Sequence, residues 1–199
     1  MSYIHKRRDV LGGVVLSGGE PTLQKDLPDM IAEINKLGLP VKLDTNGMLP
    51  AMLEKLFSSE ETRPAYIALD LKTAPDRYSA LLPEQLTHSG TLPDGKNAAK
   101  ALSKSAALIR ESGIAHEYRS LALPGGYFEE SDVEKLTPLA DSSPWYIRLF
   151  QGGNCLDPAW NDLEEPPHEV MPRVEALAAR ARELGKNCVL PAQHPERHG

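Results

Sequence analysis

Residues able to bind a polar ligand recur where apolar runs end. Val14-Val15-Leu16 stops at Ser17-Gly18-Gly19-Glu20-Pro21, Val41-Lys42-Leu43 at Asp44-Thr45-Asn46-Gly47, and Tyr66-Ile67-Ala68-Leu69 at Asp70-Leu71-Lys72. Paired glycines lack Cβ atoms, so the main chain can adopt positive φ and a ligand can approach its N–H and C=O groups. Pro21 steers Glu20 toward extended geometry and fixes the direction of its carboxylate. By itself, Gly-Gly-Glu-Pro is equally a plain turn carrying a charge. Further along, Arg119, and Arg148 with Gln151, stand in or just after strand-like runs.

These residues need a scaffold that brings strand ends together. Gly13 to Ser17, Val41 to Asp44, Tyr66 to Lys72, His116 to Leu121, Trp145 to Gln151 and Asn187 to Leu190 read as strands. Between them, Gln24 to Leu37 places Leu27, Met30, Ile31, Ile34 and Leu37 at three-and-four spacing before Gly38, the pattern of an amphipathic helix. Leu49 to Phe57, Lys96 to Ser112, Glu130 to Leu139 and Glu169 to Leu184 read as further helices, with Ser131 or Asp132 as the expected cap of the fourth. Pro75 to Pro93 reads as a short helix and loop. Tyr3 to Leu11 reads as the last turns of a helix. This cadence predicts parallel βαβ units in one α/β domain over residues 1–199. Ligands of such sheets bind at the carboxyl ends of the strands, so the polar residues named above are expected to share one rim.

Composition narrows the classes. The net charge is −6, and no basic stripe with interleaved aromatics runs along the chain, which argues against nucleic acid. No apolar run reaches the roughly 18 residues of a membrane span, and Met1 to Arg8 has no signal-peptide core. The reading is a cytoplasmic protein with no membrane partner. Cys155 and Cys188 are the two cysteines; they form neither a disulfide framework nor a metal-ligand set. Cys155 reads as an incidental loop thiol.

In order and spacing, Ser17-Gly18-Gly19-Glu20-Pro21-Thr22-Leu23-Gln24, Lys42-Leu43-Asp44-Thr45-Asn46-Gly47 and Ala68-Leu69-Asp70-Leu71-Lys72 resemble the radical S-adenosylmethionine (SAM) family, in particular the activating proteins of glycyl-radical enzymes of the anaerobic ribonucleotide reductase type. The resemblance continues through Tyr118-Arg119-Ser120 and Leu149-Phe150-Gln151. It implies a partial (β/α)6 parallel barrel that holds S-adenosylmethionine against a [4Fe-4S] cluster. There, a deoxyadenosyl radical abstracts hydrogen from a glycine of a partner enzyme. It also implies that Gly18, Gly19 and Glu20 engage the methionine ammonium, for which a carboxylate and a backbone carbonyl are suitable acceptors. Asp44, Thr45 and Asn46 would face the ribose or carboxylate side. Asp70, Lys72 and Arg119 are candidates for the same pocket, Arg119 because its fork can bond both oxygens of a carboxylate.

The family holds its cluster with three cysteines in a C-x3-C-x2-C loop upstream of the Gly-Gly turn. Here 17 residues precede Gly18 and none is cysteine. The expectation is therefore a barrel without its first strand and most of its first helix, through a truncated start or natural loss. Such a chain would carry no metal ligands and be inactive alone, with the [4Fe-4S] cluster present only if that segment is. The strand at Gly13 to Ser17 would then form an open edge suited to self-association. The residues leave other readings open. Asp44 and Asn46 also suit a simple turn, Asp70 and Lys72 a salt bridge, and Arg119 a structural partner of Asp70 or Glu20. Two other functions compete: a cluster-less module binding an adenosyl ligand or a partner, and a Schiff-base lyase that uses a desolvated Lys72.

Overall fold

In a computed structural model, which describes residues 2–81, 95–123, 125–150, 153, 155 and 167–190, six strands follow one another through a single sheet in chain order. They are β1 (Val14–Leu16), β2 (Val41–Thr45), β3 (Tyr66–Asp70), β4 (Ala115–Ala122), β5 (Trp145–Leu149) and β6 (Cys188–Val189). The pairings β1 to β2, β2 to β3, β4 to β5 and β5 to β6 are parallel. α1 (Ser2–Arg7) precedes β1, and five helices return the chain between successive strands: α2 (Leu27–Lys36), α3 (Pro50–Phe57), α4 (Gly95–Ser112), α5 (Glu130–Leu136) and α6 (Pro167–Glu183). The α/β class is the one the alternation predicts. The expected loop over residues 82–94, Pro124, Gln151, Gly152 and the polar tail from residue 191 lie outside the described residues.

The chain divides into two compact units, Met1–Asp70 with Leu82–Glu117, and Leu71–Leu81 with Tyr118–Gly199. In the first, Ile31, Ile34, Leu43, Leu53, Leu56, Ile67, Leu69 and Leu102 are fully buried. The apolar positions of α2 supply Leu27, Ile31 and Ile34 to this core, and Gly38, with φ +74°, closes the helix as expected. β2 alternates strictly: Val41, Leu43 and Thr45 are buried while Lys42 and Asp44 are half-buried. Val15 pairs with Lys42 and is 59% exposed, and among the described residues β1 pairs with β2 alone.

In the second unit, Leu71, Tyr118, Phe128, Val133, Leu136, Trp145, Ile147 and Val174 are buried. A buried polar link joins two of these segments: Ser120 Oγ donates to the Leu71 carbonyl at 2.5 Å and accepts from Trp145 Nε1 at 3.0 Å. The helix α5 is capped differently from the expectation. Glu129 is the N-cap, and Asp132, one turn in, accepts from its main-chain N–H at 2.8 Å. Asp132 is fully buried and therefore saturated: it also accepts from Thr73 Oγ1 at 3.1 Å, Ala74 N at 2.9 Å and Arg77 at 2.7 Å. Buried carboxylates persist only when paired in this way. Asp132 thereby ties the segment Leu71–Leu81 to α5. β3 ends at Asp70, so Lys72 lies past the strand rather than on it.

Gly47 follows β2 with φ +73°, and a Cβ there would come within 2.7 Å of Leu69 and 3.2 Å of Leu102, both fully buried. Its carbonyl accepts from Ser105 Oγ at 2.6 Å, which fixes the turn against α4. Gly47→Ala combines left-handed strain with overpacking and is expected to cost about 2 to 4 kcal/mol, read as a lowered urea midpoint. An unchanged midpoint would show that Leu69 and Leu102 give way freely.

Candidate functional site

Gly18 and Gly19 both have positive φ, +93° and +52°, and nothing lies within 4 Å of where their Cβ atoms would be. Their backbone is thus open to a ligand for the reason that glycine is needed there. Glu20 is extended (φ −134°, ψ 107°), as Pro21 requires, and caps the 3-10 turn Pro21–Leu23. Its carboxylate is the point where separate stretches meet. Oε1 accepts from Thr22 N at 3.1 Å, Thr22 Oγ1 at 2.5 Å and Thr45 Oγ1 at 2.8 Å. Oε2 accepts from Asn46 N at 2.7 Å. One carboxylate therefore docks the Gly-Gly turn onto the carboxyl end of β2.

Asn46 closes the arrangement. Its Oδ1 accepts from Met48 N at 2.9 Å in a turn of the kind that asparagine favours. That bond orients the amide and leaves Nδ2, with two donors, to present. The end of β2 thus offers acceptors on Glu20 and donors on Asn46, a complementary set for an ammonium and for a carboxylate or hydroxyl. Thr45 is buried and spends its hydroxyl inside the network, donating to Glu20 and accepting from Gly47 N at 3.1 Å.

The other expected residues are placed differently. Asp44 alternates with Thr45 and so projects from the opposite face of β2, the face that carries Lys42. Asp70 ends β3, half-buried, two residues after the Ala68 that pairs with Asp44. Lys72, Arg119 and Arg148 belong to the second unit. Lys72 and Arg148 are exposed and Arg119 is half-buried, while Gln151 lies outside the described residues. An exposed Lys72 lacks the desolvation on which the Schiff-base reading depends.

Sequence reading passed over two features. Thr22 is one, although a carboxylate before Pro-Thr is a recognisable start to a turn. The other is Lys42, whose ammonium lies 2.9 Å from Oε1 of buried Glu117, with Tyr66 OH donating to Oε2 at 3.1 Å. Nothing in the local sequence joins residues 75 positions apart, so only the fold reveals that pair.

Comparison with known proteins gives a family context. Residues 2–135 match the family model of the radical SAM superfamily. A Methanocaldococcus jannaschii protein named as a glycyl-radical enzyme activating enzyme is 31% identical over 175 residues, which are 87% of this chain and 65% of that protein. A Pyrobaculum aerophilum protein named as a GTP 3',8-cyclase is 27% identical over 173 residues, 85% of this chain and 50% of its own length. The chain therefore spans between half and two thirds of these relatives. Among solved structures, a domain of pyruvate-formate lyase-activating enzyme from Bacteroides vulgatus superposes with a TM-score of 0.59 at 18% identity, covering 92% of this chain and all of that one. Streptococcus suis SuiB bound to its precursor peptide SuiA gives 0.64 at 15% identity, covering 97% of this chain and 41% of that one. At such identities these two matches speak for the fold.

S-adenosylmethionine and a [4Fe-4S] cluster are implied for this superfamily in general. The residues around Glu20 fit the amino-acid portion of the first. The cysteines present do not fit the second, which needs several converging thiolates. Cys155 is half-buried and Cys188 is buried in β6. Among the described residues no three His, Cys, Asp or Glu side chains group as a metal site. Burial pushes the Cys188 thiol up to about 11, against a smaller opposing pull from Arg182. Its folded value thus lies above the ordinary 9.0, so its contribution to stability is intact below about pH 9 and is lost as pH rises through about 11. The urea midpoint is expected to fall across that window, and to fall less in Cys188→Ala; equal declines would locate the effect elsewhere.

Proposed function

The chain belongs to the radical SAM superfamily, and from that membership we propose that it is the S-adenosylmethionine-binding core of a protein that activates a glycyl-radical enzyme, with an anaerobic ribonucleotide reductase as the partner class. The observation that carries the binding half is the Glu20 carboxylate, clamped to the end of β2 beside two open glycines. The named Methanocaldococcus relative supports the activating half.

When bound, S-adenosylmethionine supplies a sulfonium whose C–S bond breaks on one-electron reduction. The residues of this chain hold its amino-acid portion. Glu20 accepts from the ammonium, the exposed main chain of Gly18 and Gly19 approaches the same group, and Asn46 Nδ2 donates to an oxygen of the ligand. Asp70, at the end of β3 in the same unit, is a further acceptor for the ligand, whereas Asp44 lies on the face of β2 opposite Thr45. No helix among the described residues is long and apolar enough to cross a membrane, and the reading is of a cytoplasmic protein.

Calorimetry with S-adenosylmethionine and S-adenosylhomocysteine tests the binding half. Saturable heat is expected with both, weakened roughly tenfold or more by Glu20→Gln, because a charge-assisted bond is worth about 1.5 to 3 kcal/mol. Folded protein that gives no heat with either ligand rejects the reading. The partner half is tested by sedimentation with an anaerobic ribonucleotide reductase: a complex strengthened by S-adenosylmethionine is expected. Separate boundaries from protein that binds the cofactor would remove that partner class.

A further inference from the structure

We infer that Thr22 and Thr45 are positioning residues that divide the Glu20 carboxylate into a structural oxygen, Oε1, and a ligand-facing oxygen, Oε2. The inference rests on the S-adenosylmethionine reading above and deepens it to a single acceptor atom.

The argument is one of hydrogen-bond capacity. An ionised carboxylate only accepts, with about two lone-pair sites on each oxygen. A threonine hydroxyl has one proton to give. Facing a carboxylate, each of these hydroxyls must donate, so the direction of both bonds is fixed. Oε1 receives three donors, Thr22 N at 3.1 Å, Thr22 Oγ1 at 2.5 Å and Thr45 Oγ1 at 2.8 Å. That oxygen is saturated. Oε2 receives one, Asn46 N at 2.7 Å, and keeps room for another.

Burial makes the division rigid. Thr22 and Thr45 are each 2% exposed, so neither hydroxyl can turn to water in exchange. Thr45 is further held by Gly47 N, which donates to its Oγ1 at 3.1 Å. The two threonines come from different stretches, the turn after Pro21 and the last residue of β2. Together they fix the carboxylate's rotation about its terminal bond, which is otherwise broad and nearly two-fold. A ligand ammonium then meets one oxygen already aimed at it. Without the hydroxyls, the carboxylate plane could turn out of line with the ligand, and selectivity for a cationic amino group would weaken.

The test compares two probes, S-adenosylmethionine and its analogue lacking the α-amino group, by calorimetry on the full chain. The wild type is expected to prefer S-adenosylmethionine. In Thr45→Val and Thr22→Val this preference is expected to shrink roughly tenfold, the equivalent of one hydrogen bond, S-adenosylmethionine losing more affinity than the analogue. Thr45→Ser and Thr22→Ser keep the hydroxyl and are expected to restore it. A merely structural role would weaken both probes alike, and that outcome overturns the inference. So does a preference undiminished in the valine variants, while leaving the binding reading intact. A wild type that binds neither probe brings down the binding reading and this inference with it. Thermal unfolding of each variant guards the comparison, and should Thr45→Val fail to fold, Thr22→Val carries the same measurement on the other hydroxyl.

Discussion

The first unit depends on one negative charge held between two stretches of chain. Glu20 stands 25 residues before Thr45 and 26 before Asn46, yet its carboxylate binds both. Each hydrogen bond to a charged acceptor is worth about 1.5 to 3 kcal/mol against its absence. A free glutamate would give up to about 2 kcal/mol of rotamer freedom when a ligand captured it. Here that freedom is already lost in the fold. The carboxylate is held in one orientation before any ligand arrives, and preorganisation of this kind raises affinity without adding a contact.

The strand that receives Glu20 separates two tasks by its pleat. Residues of odd number on β2 turn inward, and the last of them, Thr45, fastens the Gly-Gly turn through Glu20. Residues of even number, Lys42 and Asp44, face the other way, where Lys42 meets Glu117 beside Tyr66. Because alternation along a strand is strict, neither set can drift into the other's role without a slip of register. The buried run Ile67, Ala68 and Leu69 on β3, apolar toward both faces, holds that register against β2.

The fold was legible where one physical signal dominated. Apolar runs ending in polar turns located β1 to β6, and three-and-four spacing located α2. Asn46-Gly47 was legible as a turn because its chemistry is local. Legibility failed where a partner is remote or where two local rules compete. Ser131 and Asp132 both suit an N-cap, but Glu129 takes that place and Asp132 reaches back to it from inside the helix. Lys72 continued an apolar run and so resembled strand, yet the ladder stops at Asp70. In the site, Gly18, Gly19 and Glu20 could be singled out from their types. That Thr45 is occupied by Glu20, while Asp44 looks away, follows from burial and direction, which a linear pattern does not carry.

The two units trade chain with each other in sequence. Leu71–Leu81, fastened through Thr73, Ala74 and Arg77 to Asp132, belongs to the second unit although the first resumes after it, running on to Glu117. No single cut can therefore release either unit whole. A chain emerging from the ribosome holds the Gly-Gly turn and β2 early, but it completes the first unit only when Glu117 has appeared to meet Lys42. Asp132 emerges later still. The order of the segments thus sets an order of completion: the first unit waits for Glu117, and Leu71–Leu81 waits longer for Asp132.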